Sequence, residues 1–244
     1  TVWNVAENGK EYQEDFDAAW DHKFNWRIRN ALAQGSDSAR DVEAVAWVVG
    51  TPGERVLFTD SHDTAGDLND GARLPTAIQA GDPAGYYARK RSALGAVLAL
   101  TSPGTPMLLQ GQELLETNQF SDTRPMDWSR TNSQAGTWRL YRDLIRLRRN
   151  RDGISAGLSG ESVQIFEVDT ADKWIAYGRP AADTGGAVAV VANFANAART
   201  GLGVRFPEEG SWHAVFNGDS KDYAADYGGW GSALVEARGS PPRG

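Results

Sequence analysis

The sequence predicts an alternating β/α region followed by an all-β region, with the change near Arg151. Three observations carry this. Up to Asn150, short apolar runs alternate with longer segments whose apolar residues recur at helical spacing. After Asn150 no helical spacing appears, and short β-rich runs follow one another between Gly, Asp and Pro turns. The early apolar runs also end in polar residues, as Val56-Leu57-Phe58 runs into Thr59-Asp60-Ser61-His62-Asp63-Thr64. Polar groups at strand C-termini are how a (β/α) barrel builds a site. Residues 1–150 and 151–244 are thus expected as two domains.

Taken in order, Thr1 to Ala6 is rich in Val and Trp and reads as a strand, followed by the turn-like Glu7-Asn8-Gly9. Phe16 to Trp20 is a second short apolar stretch. Trp26 to Ala33 and Asp41 to Val49 carry helical spacing. Arg55 to Asp60 is the third strand, and Asp67 to Pro83, with scattered Gly, Pro and Asp, reads as a long loop of the kind that is often functional. Gly85 to Leu100 is a helix with Tyr86, Leu94, Val97, Leu98 and Leu100 as its apolar stripe, stopped by Ser102-Pro103-Gly104. Thr105 to Leu109 is a fourth strand, Gln119 to Arg130 is irregular, and Gly136 to Arg149 is an amphipathic helix. Beyond Asn150 the expected strands are Val163–Val168, Trp174–Gly178, Ala187–Phe194, Gly203–Phe206 and Trp212–Asn217, forming a small antiparallel sandwich. From Tyr227 onward the sequence looks weakly structured. A full (β/α)8 barrel needs eight units and about 250 residues. Residues 1–150 supply about half of these, so the region is either half a barrel or a different α/β layer fold.

Composition narrows the function. With 41% hydrophobic and 23% charged residues, the chain fits an ordinary globular protein. Its net charge of -7 argues against nucleic acid and against a polybasic membrane surface. No apolar run is long enough to span a membrane. There are no cysteines, which excludes disulfides, thiolate metal sites and cysteine nucleophiles. The nine Trp residues read either as packing residues or as platforms on which sugar rings stack.

Three acids follow strand ends: Glu7, Asp63 and Glu113. If their loops share one face, the carboxylates converge. Paired carboxylates are what glycosidic bond cleavage needs, one protonating the leaving oxygen and another stabilising the sugar cation. The acid must hold its proton near neutral pH, which burial or a neighbouring negative charge arranges. The competing reading is three solvated turn acids. His62 is a structural hydrogen-bonder or a ligand-facing group. With only His22 and His213 elsewhere, no metal site is expected, and no cofactor. Ser61, His62 and Asp63 are adjacent in sequence and cannot line up as a nucleophilic relay. Phosphate-cradling glycine motifs are absent.

VLFTDSHD, the segment YYARKRSALGAVLALTSPGTPMLLQGQE and the DTRPMDW loop together resemble glycoside hydrolase family 13, the α-amylase superfamily, with GQE closest to its branching-enzyme-like members. WNVAEN resembles that family's fifth barrel strand, FDAAWDHKFNWRIRNAL its sixth strand and helix, and LYRDLIRLRRN its eighth helix. The resemblance implies the second half of a TIM (β/α)8 barrel, units five to eight, followed by an antiparallel β-sandwich domain that stops early. It implies that Glu7 is the general acid/base, that Asp63 holds substrate hydroxyls and stabilises the oxocarbenium-like transition state, that His62 hydrogen-bonds the sugar, and that Glu113 lies on the substrate side of the barrel mouth. The implied substrate is an α-1,4-glucan such as glycogen, starch or a maltooligosaccharide. The implied activity is 1,4-α-glucan branching, with amylase-type hydrolysis or non-catalytic glucan binding as alternatives. A cytoplasmic location goes with branching and a secreted one with amylase activity. The family's nucleophile is an Asp two residues after an Arg, and this sequence contains no Arg-x-Asp. The 244 residues alone are therefore expected to be inactive.

Overall fold

The computed structural model describes residues 18–181, 186–206, 208–229, 231 and 233–238. The expected strand Thr1–Ala6 and the candidate acid Glu7 lie outside the described residues. The first described elements are strands β1 (Ala19–Trp20), β2 (Arg55–Leu57) and β3 (Thr105–Pro106), which form a parallel sheet in that order. Parallel neighbours need crossovers, and helices supply them. Helices α1 (His22–Ala33) and α2 (Val42–Val49) join β1 to β2. Helices α3 (His62–Ala65), α4 (Leu74–Ile78) and α5 (Tyr86–Thr101) join β2 to β3, and α6 (Arg130–Ser133) and α7 (Ala135–Arg148) follow β3.

Local chemistry accounts for the helix starts. Asp21 caps α1 by accepting from the Phe24 amide at 2.8 Å, and Asp41 caps α2 by accepting from the Ala44 amide at 2.9 Å. The second Asp21 oxygen receives Arg55 at 2.7 Å in a buried ion pair, which locks the end of β1 to the start of β2. Two expectations change here. Asp67 to Pro83 is not a featureless loop: a 3-10 turn at Asp67–Asn69 and helix α4 form within it. Leu74-Pro75 starts α4, where a proline at the first turn lacks only an amide that the helix leaves unused. Helix α5 also has no single apolar stripe. Tyr86 is exposed, while Ala93, Ala96 and Leu100 pack into one cluster and Leu98 and Ala99 into another. The helix is buried on several sides, so alanine and glycine rather than large residues line its close contacts.

Past α7 lie two antiparallel sheets, β4 (Gln164–Asp169), β5 (Trp174–Arg179) and β6 (Val188–Asn193) in one, and β7 (Gly210–His213) and β8 (Leu234–Ala237) in the other. Gly203–Phe206 forms no strand, whereas β8 forms in the tail that reads as weakly structured. The first of these sheets does not stand apart. Ile175, Tyr177, Val190, Ala192 and Phe194 share one core with Phe24, Ile28, Leu32, Val45 and Val49 of α1 and α2. Arg40 seals the seam, donating to the Phe194 carbonyl and to Asn196 Oδ1 at 2.8 Å. Arg179 is fully buried and donates to the carbonyls of Thr101, Ser162 and Gly160. Burial pushes its guanidinium down to about 10, with Arg148 adding repulsion.

Candidate functional site

Strands β1, β2 and β3 run parallel, so their C-terminal ends open on one side, where α/β sheets place their sites. The polar packet after β2 is built from Ser61 upward. Its side chain accepts from the Thr64 amide at 3.2 Å, while the Thr64 hydroxyl accepts from the Ser61 amide at 2.9 Å. This reciprocal cap winds His62–Ala65 into one turn of helix. It places His62 and Asp63 as consecutive, more than half-exposed side chains, with Nε2 of His62 3.3 Å from Asp63 Oδ1.

An aromatic cluster stands beside them. Trp20, from the end of β1, meets His62 edge-on at 5.6 Å and Phe58 at 5.3 Å, and His22 meets Phe58 edge-on at 5.6 Å. An apolar wall next to an imidazole and a carboxylate suits a ring that has both C–H faces and hydroxyls.

Beneath the exposed pair lies a buried polar scaffold. Asp60 is fully buried, accepts from the Leu74 amide at 3.0 and 3.2 Å, and pairs with Arg29 of α1. Arg29 also donates to the carbonyls of Thr59 at 3.0 Å and Ala72 at 2.6 Å. Burial pushes the Asp60 carboxyl up, against the pull of Arg29 and the Leu74 amide. Asn25 donates to the Thr59 carbonyl at 2.9 Å and Gln112 to the Thr59 hydroxyl at 2.8 Å. The strand end that leads to His62 is therefore held from three elements.

Glu113 sits in a 3-10 turn, Gln112–Leu114, framed by two left-handed residues, Gly111 at φ 89° and Leu115 at φ 49°. Leu115 is bulky for that conformation, and burial of its side chain holds it there. The Glu113 carboxylate accepts from the Gly111 amide at 3.0 Å. Among the described residues, no hydrogen bond or ion pair joins it to His62 or Asp63. Their loops are nevertheless stitched together. Arg73 donates to the carbonyls of Asn118 at 3.0 Å and Gln110 at 2.8 Å, Gln119 donates to the Gly71 carbonyl at 2.6 Å, and the Phe120 amide donates to the Ala65 carbonyl at 2.7 Å. Burial lowers the Arg73 pKa, with Asp60, Glu116 and Glu113 opposing it. Burial alone raises the Glu116 pKa, but the amides of Asn118 and Thr117, with Arg130 beside it, hold this carboxylate below the usual range.

The structure thus sets His62 and Asp63 side by side and puts Glu113 on a neighbouring loop. His22 is legible by the same rule that singles out Asp63, since it stands just past a strand end, and Trp20 closes that strand. Arg29 and Arg73 carry no such signal. Among the described residues there is no group of three His, Cys, Asp or Glu side chains able to hold a metal ion, and no helix long and apolar enough to cross a membrane.

Comparison with known proteins adds three findings. The family described as the alpha amylase, C-terminal all-beta domain matches residues 166–240. A 1,4-alpha-glucan branching enzyme of Mesorhizobium japonicum is 30% identical over 188 residues, covering 76% of this chain and 25% of that protein. A second, from Rhodococcus jostii, is 30% identical over 199 residues, covering 78% of this chain and 26% of the relative. The chain therefore spans about a quarter of the length of the curated relatives it matches. Among solved structures, a pullulanase from Anoxybacillus superposes with a TM-score of 0.60 at 16% identity, covering 91% of this chain and 33% of that one. A cyclomaltodextrinase does so with a TM-score of 0.55 at 22% identity, covering 73% of this chain and 28% of that one. At these identities the structural likeness speaks for the fold.

Proposed function

Because this chain belongs to the α-amylase superfamily, glycoside hydrolase family 13, we propose that it forms the last barrel units and the C-terminal β domain of an enzyme that branches α-1,4-glucans. The observation that carries this reading is the His62–Asp63 turn, presented beside Trp20 at the C-terminal ends of a parallel sheet. In this reading residues 1–150 are half of a (β/α)8 barrel and residues 151–244 the β domain.

The chemistry follows from the groups at hand. Asp63 is exposed and next to an imidazole, so its carboxyl oxygens are open to a sugar ring that develops positive charge, and it accepts hydrogen bonds from the ring hydroxyls. His62 fixes the same hydroxyls from its other side, and Trp20 excludes water from the ring face. Glu7 protonates the departing glucosyl oxygen. Glu113 lines the substrate side of the mouth. A retaining mechanism needs a nucleophilic carboxylate besides these, which the 244 residues do not offer in the family's Arg-x-Asp form. The chain by itself therefore turns over no glucan. The branching reading goes with glycogen-type metabolism and a cytoplasmic location.

Hydrolysis and branching share every residue named here and differ in whether water or a glucan hydroxyl resolves the intermediate. Iodine staining with a reducing-end assay on the parent enzyme separates them. Branching lowers staining while releasing few reducing ends, and hydrolysis releases many. Asp63→Asn in that parent is expected to cut turnover by about 10²-fold or more. Full activity in Asp63→Asn would sink the assignment.

A further inference from the structure

Arg73 stands between the two loops that carry Asp63 and Glu113 and is tied to both. It is buried, with 3% of its surface exposed. Its neighbours along the chain belong to the Asp63 side. The Ala72 amide donates to the Thr64 carbonyl at 3.2 Å, and the Leu74 amide donates to Asp60 at 3.0 Å. Its side chain belongs to the Glu113 side. Nε donates to the Asn118 carbonyl at 3.0 Å, and Nη1 donates to the Gln110 carbonyl at 2.8 Å. Those two carbonyls bracket the turn Gln112–Leu114, on which Glu113 sits.

The two loops differ in what else holds them. The His62–Asp63 turn has its own cap from Ser61 and Thr64, and Asp60 beneath it is paired with Arg29. The Glu113 turn is tied down by Gln112 on the Thr59 hydroxyl, by Arg130 on the Leu115 carbonyl and by Arg73 on both of its flanks. Of these three, Arg73 is the one that joins both flanks to the segment bonded to the Asp63 turn. Its guanidinium is also attracted by Asp60, Glu116 and Glu113 and repelled by Arg130. Loss of that group therefore loosens the Glu113 turn and leaves the Asp63 turn in place. One planar group meets the two carbonyls through two different nitrogens, which a lysine ammonium, a single point of charge, does not reproduce.

We propose that Arg73 is a positioning residue for the α-glucan reaction, whose guanidinium sets how far Glu113 stands from Asp63 and so how tightly the sugar is held between them. The proposal rests on the function given above and concerns a side chain that touches no substrate.

The test is steady-state kinetics of the parent enzyme on amylose over a range of concentrations. Arg73→Lys is expected to raise KM about tenfold and to hold kcat within about twofold, because the Glu113 turn loses its placement while Asp63 keeps its own. A mere fold defect acts the other way: it lowers the active fraction, so kcat falls at unchanged KM. Glu113→Ala is expected to raise KM as well, and the two changes together are expected to raise it by less than the product of their separate factors. If Arg73→Lys does not fold, Gln119→Ala takes its place. It cuts the Gln119 bond to the Gly71 carbonyl in the same seam and is expected to raise KM about threefold at unchanged kcat. An unchanged KM in the folded variant, a fall in kcat alone, or KM factors that multiply independently overturn the proposal. Asp63→Asn in the same assay reports on the function itself. If it abolishes turnover while KM stays unmoved in the Arg73 variant, the glucan reading stands and the role of Arg73 falls. If it keeps full activity, the glucan reading falls and takes the role of Arg73 with it.

Discussion

At the residue scale, the site depends on a side chain that never meets solvent. Asp60 and Arg29 are linked inside the protein, and they hold α1, the end of β2 and the loop before α4 in one arrangement. Such a pair gives little net stability against a well-packed apolar replacement, but losing one partner leaves a buried charge alone. Asp60→Asn is therefore expected to cost about 3 kcal/mol in urea unfolding. The double variant Asp60→Leu with Arg29→Met should lose less than the two single losses added together. A sum without coupling would show that the two groups do not act as a pair. The sequence displayed this poorly. Asp60 stood inside the quoted polar packet, yet only its exposed neighbours His62 and Asp63 invited a role. Nothing in local spacing tells an acid that ends inside from one that ends outside. Arg29 is one of several basic residues on its helix, and only the fold selects it.

At the scale of elements, the longer helices α5 and α7 were legible, α5 from the residues that bound it, Gly85 and Ser102, and α7 from its apolar spacing. The shorter elements were not. Helix α4 hides in a stretch rich in Gly, Pro and Asp, and its stability comes from contacts made across the fold, such as the Leu74 amide on Asp60. Strand β8 forms because β7 pairs with it, from Gly210 opposite Ala237 to His213 opposite Leu234. Propensity and packing also compete visibly in α7. Alanine is favoured over glycine inside a helix by about 1 kcal/mol. At Gly136, however, an added Cβ would stand 1.6 Å from the Tyr223 carbonyl oxygen. Backbone overlap of that size outweighs the propensity gain, so Gly136→Ala is expected to lower the thermal midpoint. A raised midpoint would mean that segment 223–227 moves away freely.

For the whole molecule, the sequence divides where its texture changes, near Arg151, but the core ignores that line. Ile175 and Tyr177 of β5 are packed with α1 and α2, and the Tyr177 hydroxyl meets Thr101 of α5. Periodicity reports each element's own pattern and carries no information about which elements share an interior. Among the described residues, 18–150 thus have an apolar face that the later sheet covers. Truncation after Asn150 is expected to give an aggregating chain without a cooperative transition, whereas residues 1–244 unfold with coincident tryptophan fluorescence and far-ultraviolet circular dichroism. Two separated transitions in the longer chain would show that the two parts stand independently.

The end of α5 carries a consequence for how the chain reaches this state. Its last carbonyl and two just past it accept from the guanidinium groups of two distant residues: Arg179 donates to that of Thr101, and Arg148 donates to those of Ser102 and Gly104. Neither cation is near in sequence, so loops must close before this helix end is satisfied. During synthesis the terminus of α5 waits for a strand that leaves the ribosome many residues later. The helix can begin early, but its junction with β3 is finished only when β5 arrives, which makes that junction a late and slow event in folding.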